Sequence, residues 1–278
     1  MAKSLAVAVV HGMGRQKKDN PGNSAALSFS AKLHRRMREE MGKDQFDEKI
    51  AWREIFWADV LQPRQEDYER RMRRQSPFGP LRRFVMHKLS DAASYYPHLT
   101  PDGSTYQQVH ERIDNVLHEL EGDVEPGAPL LIMAHSLGGH MMSNYIYDMG
   151  KGRRPVPKGF RSLETFAGLF TFGCNIPVFV FACKKAVPIG FPGAKPERRL
   201  KPWWRNHYDA QDPLGYPLGP IGDGYEDMVK DREIEDVKVN VGFPIIQSWT
   251  FLSHNAYWND RRFAKRAVRF AEDIMATA

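Results

Sequence analysis

The sequence predicts an α/β fold with a mainly parallel central sheet and helices on both faces of that sheet. Short apolar runs alternate with longer segments in which apolar residues recur at helical spacing, and this alternation is typical of parallel sheets. The short runs are continuously apolar, as strands buried on both faces are. With 278 residues, 42% of them hydrophobic, and no evident linker, we expect one domain spanning residues 1–278.

The first elements are predicted to be β-α-β. Leu5–Val10 is a β-rich apolar run that ends at a glycine turn, which indicates a buried strand. A helix follows, with Asn23 or Ser24 as its N-cap and its end just before Gly42. Residues 50–57 then provide the second strand.

An Arg-rich segment from about residue 62 to 96 interrupts this alternation. Its apolar residues Leu81, Phe84, Val85 and Leu89 recur at helical spacing, so we expect a helical insertion. A helix over residues 104–120 comes next, and "LLIMA" at residues 130–134 is the following buried strand.

The later elements follow the same alternation. "AGLFTFG" predicts a strand, and a second irregular excursion covers about residues 175–202. "WWRNHYDAQD" predicts a strand and a loop, and "VKVNV" another extended piece. "RRFAKRAVRFAEDIM" closes the chain as an amphipathic helix.

The segment "MAHSLGGH", residues 133–140, places Ser136 at a strand-to-helix junction. A catalytic serine on such a sharp turn needs small neighbours, and Ala134 and Gly138 meet that requirement. The backbone N–H of Leu137, at the helix N-terminus, could then stabilise an oxyanion. The alternative is an ordinary helix with a serine N-cap.

The segment "VVHGMG", residues 9–14, follows the first strand and favours the catalytic interpretation. His11 and Gly12 stand where serine hydrolases place a second oxyanion donor, for which the backbone N–H of Met13 is the best candidate. A dinucleotide-binding loop is the alternative, but Lys17 replaces its third glycine.

With "AHSLGG" and "VVHGMGRQ", the sequence resembles the α/β-hydrolase superfamily, specifically its lipase- and esterase-like members. The resemblance implies an α/β-hydrolase fold and a catalytic triad in the order Ser, acid, His, with the His in a loop before the last helix. The first glycine of the usual serine motif is replaced by Ala134.

The acid and the base are then sought in that order. Asp212, in "QDPLG", is preferred to Asp209 because an Asp-Pro pair after a strand resembles the family's acid segment, although either Asp suits a turn. His254, in "FLSHNAYW", is expected in a short polar loop before the closing helix.

The remaining histidines fit other roles. His207 precedes Asp212 and breaks the order Ser, acid, His. His135 adjoins Ser136 at the strand-turn junction, and its side chain is expected to point away from Ser136. His140 is expected on the helix, and His11 in the oxyanion turn.

The expected function is serine-dependent hydrolysis of a carboxylic ester or thioester through an acyl-enzyme, with no metal or organic cofactor. Two alternatives stay open: a peptidase or amidase with the same triad, and a non-catalytic binding protein that keeps the fold. The substrate is expected to be a small-molecule or lipid-like acyl ester. The formal net charge of +6 is too dispersed along the chain to indicate nucleic acid.

The two insertions are expected to cap the catalytic pocket as a lid, since insertions in this fold commonly do so. Arginines in the first insertion could also hold the lid near an anionic membrane surface, whereas the alternative is a solvated helix whose arginines pair with Glu66, Asp67 and Glu69.

The cellular compartment is inferred from cysteine usage and apolar runs. Cys174 and Cys183 have no metal-type spacing and make a disulfide scaffold improbable, so a reducing, cytoplasmic location is expected. No apolar run has the length of a secretory signal or a membrane span.

Overall fold

A six-stranded parallel sheet forms the centre of the structure, with the strand order β2-β1-β3-β4-β5-β6. The structure is a computed structural model and describes residues 2–12, 27–73, 90–91, 93–95, 104–154, 156–180, 186–195, 199–242 and 251–277. The predicted α/β fold class, with a mainly parallel sheet and helices on both faces, is confirmed. The strands are β1 Leu5–Val10, β2 Ile50–Ile55, β3 Leu130–His135, β4 Phe166–Phe172, β5 Trp204–Asp209 and β6 Ile234–Val239.

The helices cover both faces of the sheet and separate two apolar layers. One layer contains the buried faces of α4 and α5, and the other contains those of α1 and α9. The helices are α1 Ala31–Met41, α2 Lys43–Lys49, α3 Gln62–Arg73, α4 Thr105–Glu121, α5 Leu137–Gly150, α6 Ile176–Val180, α7 Tyr225–Lys230, α8 Phe251–Ala256 and α9 Arg261–Thr277.

The register of the sheet aligns the carboxyl ends of its inner strands. Val10 pairs with Ala134, and His135 pairs with Phe172, so the segments that follow β1, β3 and β4 leave the sheet at one edge. Ligand sites in open α/β sheets lie outside this carboxyl edge. The edge therefore collects the residues that follow the strands.

Helix α1 begins at Ala31, later than predicted, because Ser28 and Ser30 are bonded to a side chain on β2. The backbone N–H and the hydroxyl of Ser28 and of Ser30 all donate to the carboxylate of Glu54, at 2.6–2.9 Å. These bonds fix the chain before the helix, and Ser30, at the cap position, makes no side-chain bond to the helix. The predicted caps, Asn23 and Ser24, lie outside the described residues.

Other element ends agree closely with the predictions. The Ser104 hydroxyl accepts the Gln107 N–H at 3.2 Å and caps α4, which extends one residue beyond its predicted end. The second strand ends at Ile55, two residues early, since the Trp57 N–H turns to the ring of His11. The closing helix forms as expected.

The described parts of the first insertion are helix α3 and residues 90–91 and 93–95, and residues 74–89 lie outside the description. Arg70 and Arg71 pair with Asp67, and Arg73 pairs with Glu69, one turn earlier in each case. This agrees with the solvated alternative for these three arginines. Neither α3 nor any other helix in the described ranges has the length and hydropathy needed to cross a membrane.

Candidate active site

Ser136 stands between β3 and α5 in a strained backbone conformation. Its φ is 56° and its ψ is −126°, a region that residues other than glycine avoid at a cost of about 1–3 kcal/mol. Its N–H donates to the Phe172 carbonyl at 3.0 Å, which ties the turn to β4. Its buried hydroxyl has no hydrogen-bond partner among the described residues and does not cap the helix. The geometry is that of a nucleophile elbow, and the N-cap alternative is wrong.

Glycines allow two close backbone approaches around Ser136. A Cβ at Gly12 would lie 2.4 Å from the Ser136 Cβ and 3.0 Å from its Oγ. A Cβ at Gly138 would lie 2.8 Å from the carbonyl oxygen of His11. The distances of 2.4 Å and 2.8 Å are shorter than real Cβ contacts, so the elbow and the end of β1 fit together only because these residues are glycines.

His11 fixes the chain as it leaves β1. Its Nε2 accepts the Trp57 N–H at 3.3 Å, so Nδ1 carries the ring proton and donates to the Gly12 carbonyl at 2.7 Å. The ring also stacks on the Trp57 indole, with the ring centroids 4.8 Å apart. These contacts orient Gly12 against Ser136. Met13, the predicted oxyanion donor, lies outside the described residues.

Asp212 and His254 form a buried pair. The His254 Nδ1 lies 2.9 Å from both carboxylate oxygens of Asp212, and the two side chains are 1% and 0% exposed. The Leu214 N–H also donates to Asp212 Oδ1, at 2.9 Å. An imidazole held at Nδ1 by a carboxylate directs Nε2 away from that carboxylate, as a general base requires.

Asp209 has a different environment. Its carboxylate accepts the backbone N–H groups of Gln211 at 2.9 Å and Val241 at 2.7 Å, which joins the end of β5 to the segment after β6. The structure therefore brings Asp212 to His254 and uses Asp209 as a backbone brace.

His254 lies on helix α8, and the prediction that it lies in a polar loop is wrong. The helix continues as a 3₁₀ turn over Tyr257–Asn259, so His254 and Tyr257 are three residues apart on helical backbone and face the same side. The hydroxyl of Ser253 donates to the Gln211 carbonyl at 3.1 Å. This bond holds the helix against residues 210–215, the turn that follows β5 and carries Asp212, which we call the acid turn.

Gly173 brings Ser136 and the Asp212–His254 pair to one place. It follows Phe172, whose carbonyl accepts the Ser136 N–H. A Cβ at Gly173 would lie 3.0 Å from Asp212 Oδ2 and 3.2 Å from His254 Nδ1. The three predicted residues therefore meet around the carboxyl end of β4.

His135 packs against His254, and its side chain, expected to point away from Ser136, makes no hydrogen bond to the Ser136 hydroxyl. The two rings are 4.5 Å apart, and the His135 Nε2 donates to the His254 carbonyl at 2.8 Å. His135 therefore supports the backbone that carries His254. The adjacency of His135 to Ser136 was its only sequence signal, since the fold alone brings it to His254.

The other histidines are placed differently. His207 is buried between the rings of Phe170 and Phe263, and burial lowers its pKa to about 3. His140 lies on α5, as predicted, and stacks on Phe179 with the ring centroids 4.4 Å apart.

Comparisons with known proteins give little more. The sequence matches no family model and no curated protein. Among solved structures, it is similar to a protein from Xanthomonas campestris pv. campestris that is assigned provisionally to the hydrolases of the alpha/beta superfamily. The identity is 12%, 96% of each chain is covered and the TM-score is 0.38. A similarity this weak carries no argument, so function must be argued from the site.

Proposed function

We propose that the protein is a serine hydrolase that cleaves carboxylic esters or thioesters through an acyl-enzyme. The observation that carries this proposal is a strained, buried Ser136 whose turn is bonded to the end of β4, next to Gly173, which packs against the Asp212–His254 pair. Backbone strain at a functional residue is retained where the surrounding structure holds it in place, and here it presents a hydroxyl at the carboxyl edge of the sheet.

The proposed reaction begins when the Ser136 Oγ attacks the acyl carbonyl and His254 takes its proton. Asp212 orients the imidazole and stabilises its charged form. The leaving alcohol or thiol takes the proton from His254 and departs, and water then attacks the acyl-enzyme with His254 as the base. Each half-reaction returns its proton, so the enzyme ends as it began.

We assign the oxyanion hole to the backbone N–H groups of Leu137 and Met13. Leu137 is the first residue of α5, where N–H groups are not used by the helix and the helix dipole favours negative charge. Gly12 precedes Met13 in the chain, and its tight contact with Ser136 supports a donor next in sequence. Two such donors contribute about 10²–10³-fold each in related chemistry.

An apolar cavity supports an acyl substrate. It has a volume of about 410 Å³ and flanks the acid turn, because its wall residue Tyr216 donates its N–H to the Cys174 carbonyl beside Gly173. We propose that it receives the acyl chain. The cavity is lined by Pro177, Val180, Ala186, Tyr216, Pro217, Pro220, Ile221 and Asp223.

Covalent labelling tests the proposal. A fluorophosphonate probe should modify Ser136 with loss of fluoride, and the adduct should be found by intact mass and peptide mapping, with and without mild detergent. Ser136→Ala should abolish the adduct. Ser143→Ala, at a buried serine on the same helix, should keep it. A wild type that stays unlabelled in both conditions would contradict a nucleophilic serine.

A series of esters of increasing acyl length then tests the substrate assignment. A cavity of this volume should favour medium-length chains, and Ile221→Trp should shift the preference towards shorter ones. Equal kcat/KM for amide and ester substrates of the same acyl group would instead favour the amidase alternative.

A further inference from the structure

Tyr257 makes a contact with the acid that the triad does not account for. Its hydroxyl lies 3.1 Å from Asp212 Oδ2 and also accepts the Asp209 N–H at 2.9 Å. Because that N–H can only donate, the single phenol proton must point to the Asp212 carboxylate. Burial, with Asp212 nearby, raises the pKa of Tyr257 well above its usual value, so the phenol stays a donor at every working pH.

The position of Tyr257 follows from helical spacing. It is three residues after His254, on the 3₁₀ turn that continues α8, so both side chains reach the same carboxylate. His254 contacts both oxygens of Asp212, Leu214 N–H contacts Oδ1, and Tyr257 contacts Oδ2. Every oxygen of the acid is thereby fixed.

We propose that Tyr257 is a positioning residue whose hydroxyl holds the Asp212 carboxylate in the orientation that His254 needs. This inference rests on the proposed function. The same hydroxyl joins the acid turn to the end of β5 through the Asp209 N–H. Through its hydroxyl, Tyr257 therefore joins the helical segment that carries His254 to Asp212 and to the end of β5.

Loss of the hydroxyl has two predictable effects on His254. The carboxylate loses one of the bonds that fix its orientation, which lowers kcat. It also keeps more of its charge, which stabilises the imidazolium and raises the pKa of His254. The groups around Asp212 are the His254 ring, the Tyr257 phenol, the Leu214 N–H and, behind His254, the His135 ring. The carboxylate of Asp209 is occupied by backbone N–H groups.

The test compares Tyr257→Phe with a matched control, Tyr106→Phe. The Tyr106 hydroxyl donates to the buried Asp148 at 2.7 Å, so the control also removes a phenol–carboxylate bond but lies outside the proposed site. Tyr257→Phe should lower kcat about tenfold with KM unchanged and move the acidic limb of kcat/KM to higher pH. Tyr106→Phe should leave kcat and the pH profile unchanged.

A second readout does not depend on catalysis. The Nδ1 proton of His254 should give a low-field NMR resonance that is absent from His254→Ala. Tyr257→Phe should shift this resonance, and Tyr106→Phe should not. A folded Tyr257→Phe variant with an unshifted resonance and a wild-type pH profile overturns the inference. An unlabelled Ser136 in the wild type, with the resonance still shifted, would refute the proposed function while leaving the Tyr257–Asp212 contact established.

Discussion

At the scale of the residue, the site depends on side chains that are missing as much as on those present. The Ser136 side chain occupies the space that a Cβ at Gly12 would need. Asp212 and His254 occupy the space that a Cβ at Gly173 would need. Ser136 in turn keeps a backbone conformation with positive φ, which residues other than glycine disfavour. Small residues thus specify where the reactive groups meet.

Gly12→Ala tests this arrangement. The added Cβ would lie 2.4 Å from the Ser136 Cβ, so the elbow or the end of β1 must shift. We expect kcat/KM for a chromogenic ester to fall about 10²-fold, because small displacements of reacting groups have effects of that size. Stability should fall by about 1–3 kcal/mol, measured by urea unfolding. Gly150→Ala, which has open space around it, should change neither, and equal behaviour of the two variants would contradict the argument.

The two candidate acids give opposite predictions. Asp212→Asn should lower kcat about 10³–10⁴-fold, because an amide can donate to Nδ1 and select the wrong tautomer of His254. Asp209→Asn should retain most of kcat but lose about 1–3 kcal/mol of stability, since it weakens the bonds to Gln211 and Val241. Steady-state kinetics and thermal unfolding of both variants measure the contrast. The reverse pattern would assign the acid to Asp209.

At the scale of the element, strands and long helices follow from the sequence, whereas short elements do not. The apolar run of β1 and the apolar periodicity of α4 are local signals, and both elements are where the sequence predicts them. Helix α8 is only six residues long, too short for a periodic pattern, and its contacts with the acid turn hold it in place. In the sequence, only the three-residue spacing of His254 and Tyr257 indicated a helical segment there.

The start of α1 was missed because a distant carboxylate decides it. Glu54 on β2 accepts four bonds from Ser28 and Ser30, and the Trp52 indole donates to the Ser30 hydroxyl at 2.9 Å. Sequence spacing cannot show this, since the partners are 24 and 26 residues apart.

Glu54→Ala should therefore destabilise the protein far more than an exposed acid does. The change leaves the two buried donors of Ser30 and the two part-buried donors of Ser28 without this acceptor, and each buried donor costs about 1–3 kcal/mol. We expect a loss of about 3 kcal/mol or more in urea unfolding. Glu48→Ala, at an exposed position of α2, should be within about 0.5 kcal/mol of the wild type. Similar values for both would mean that the serines find other acceptors.

At the scale of the whole molecule, the parallel sheet explains why residues so far apart in sequence meet. Gly12, Ser136 and Gly173 each follow a strand, and register puts those strand ends together. The sequence order predicts this edge. It also favours Asp212 over Asp209, but it does not show the backbone role of Asp209, which depends on the Val241 N–H, 32 residues away.

The buried histidines should also set the acid stability of the whole fold. Burial lowers the pKa of His110 and of His207 from 6.5 to about 3, and that of His140 to about 4. Below about pH 6.5, the pKa of histidine in the unfolded chain, the unfolded chain therefore binds more protons than the native one. The contribution of these histidines to stability is fully present above about pH 6.5 and is lost as the pH falls below that value. Each histidine should contribute a loss of about 1–2 kcal/mol by about pH 5.

Urea unfolding across that pH range measures the loss, and His207→Phe should remove about a third of the slope. Phenylalanine suits the site because His207 already stacks between Phe170 and Phe263. His118→Gln, at an exposed position on α4, should leave the slope unchanged. If His207→Phe keeps the full slope, the native ring accepts a proton in the core, and the acid sensitivity must then come from His110, His140 or carboxylates elsewhere.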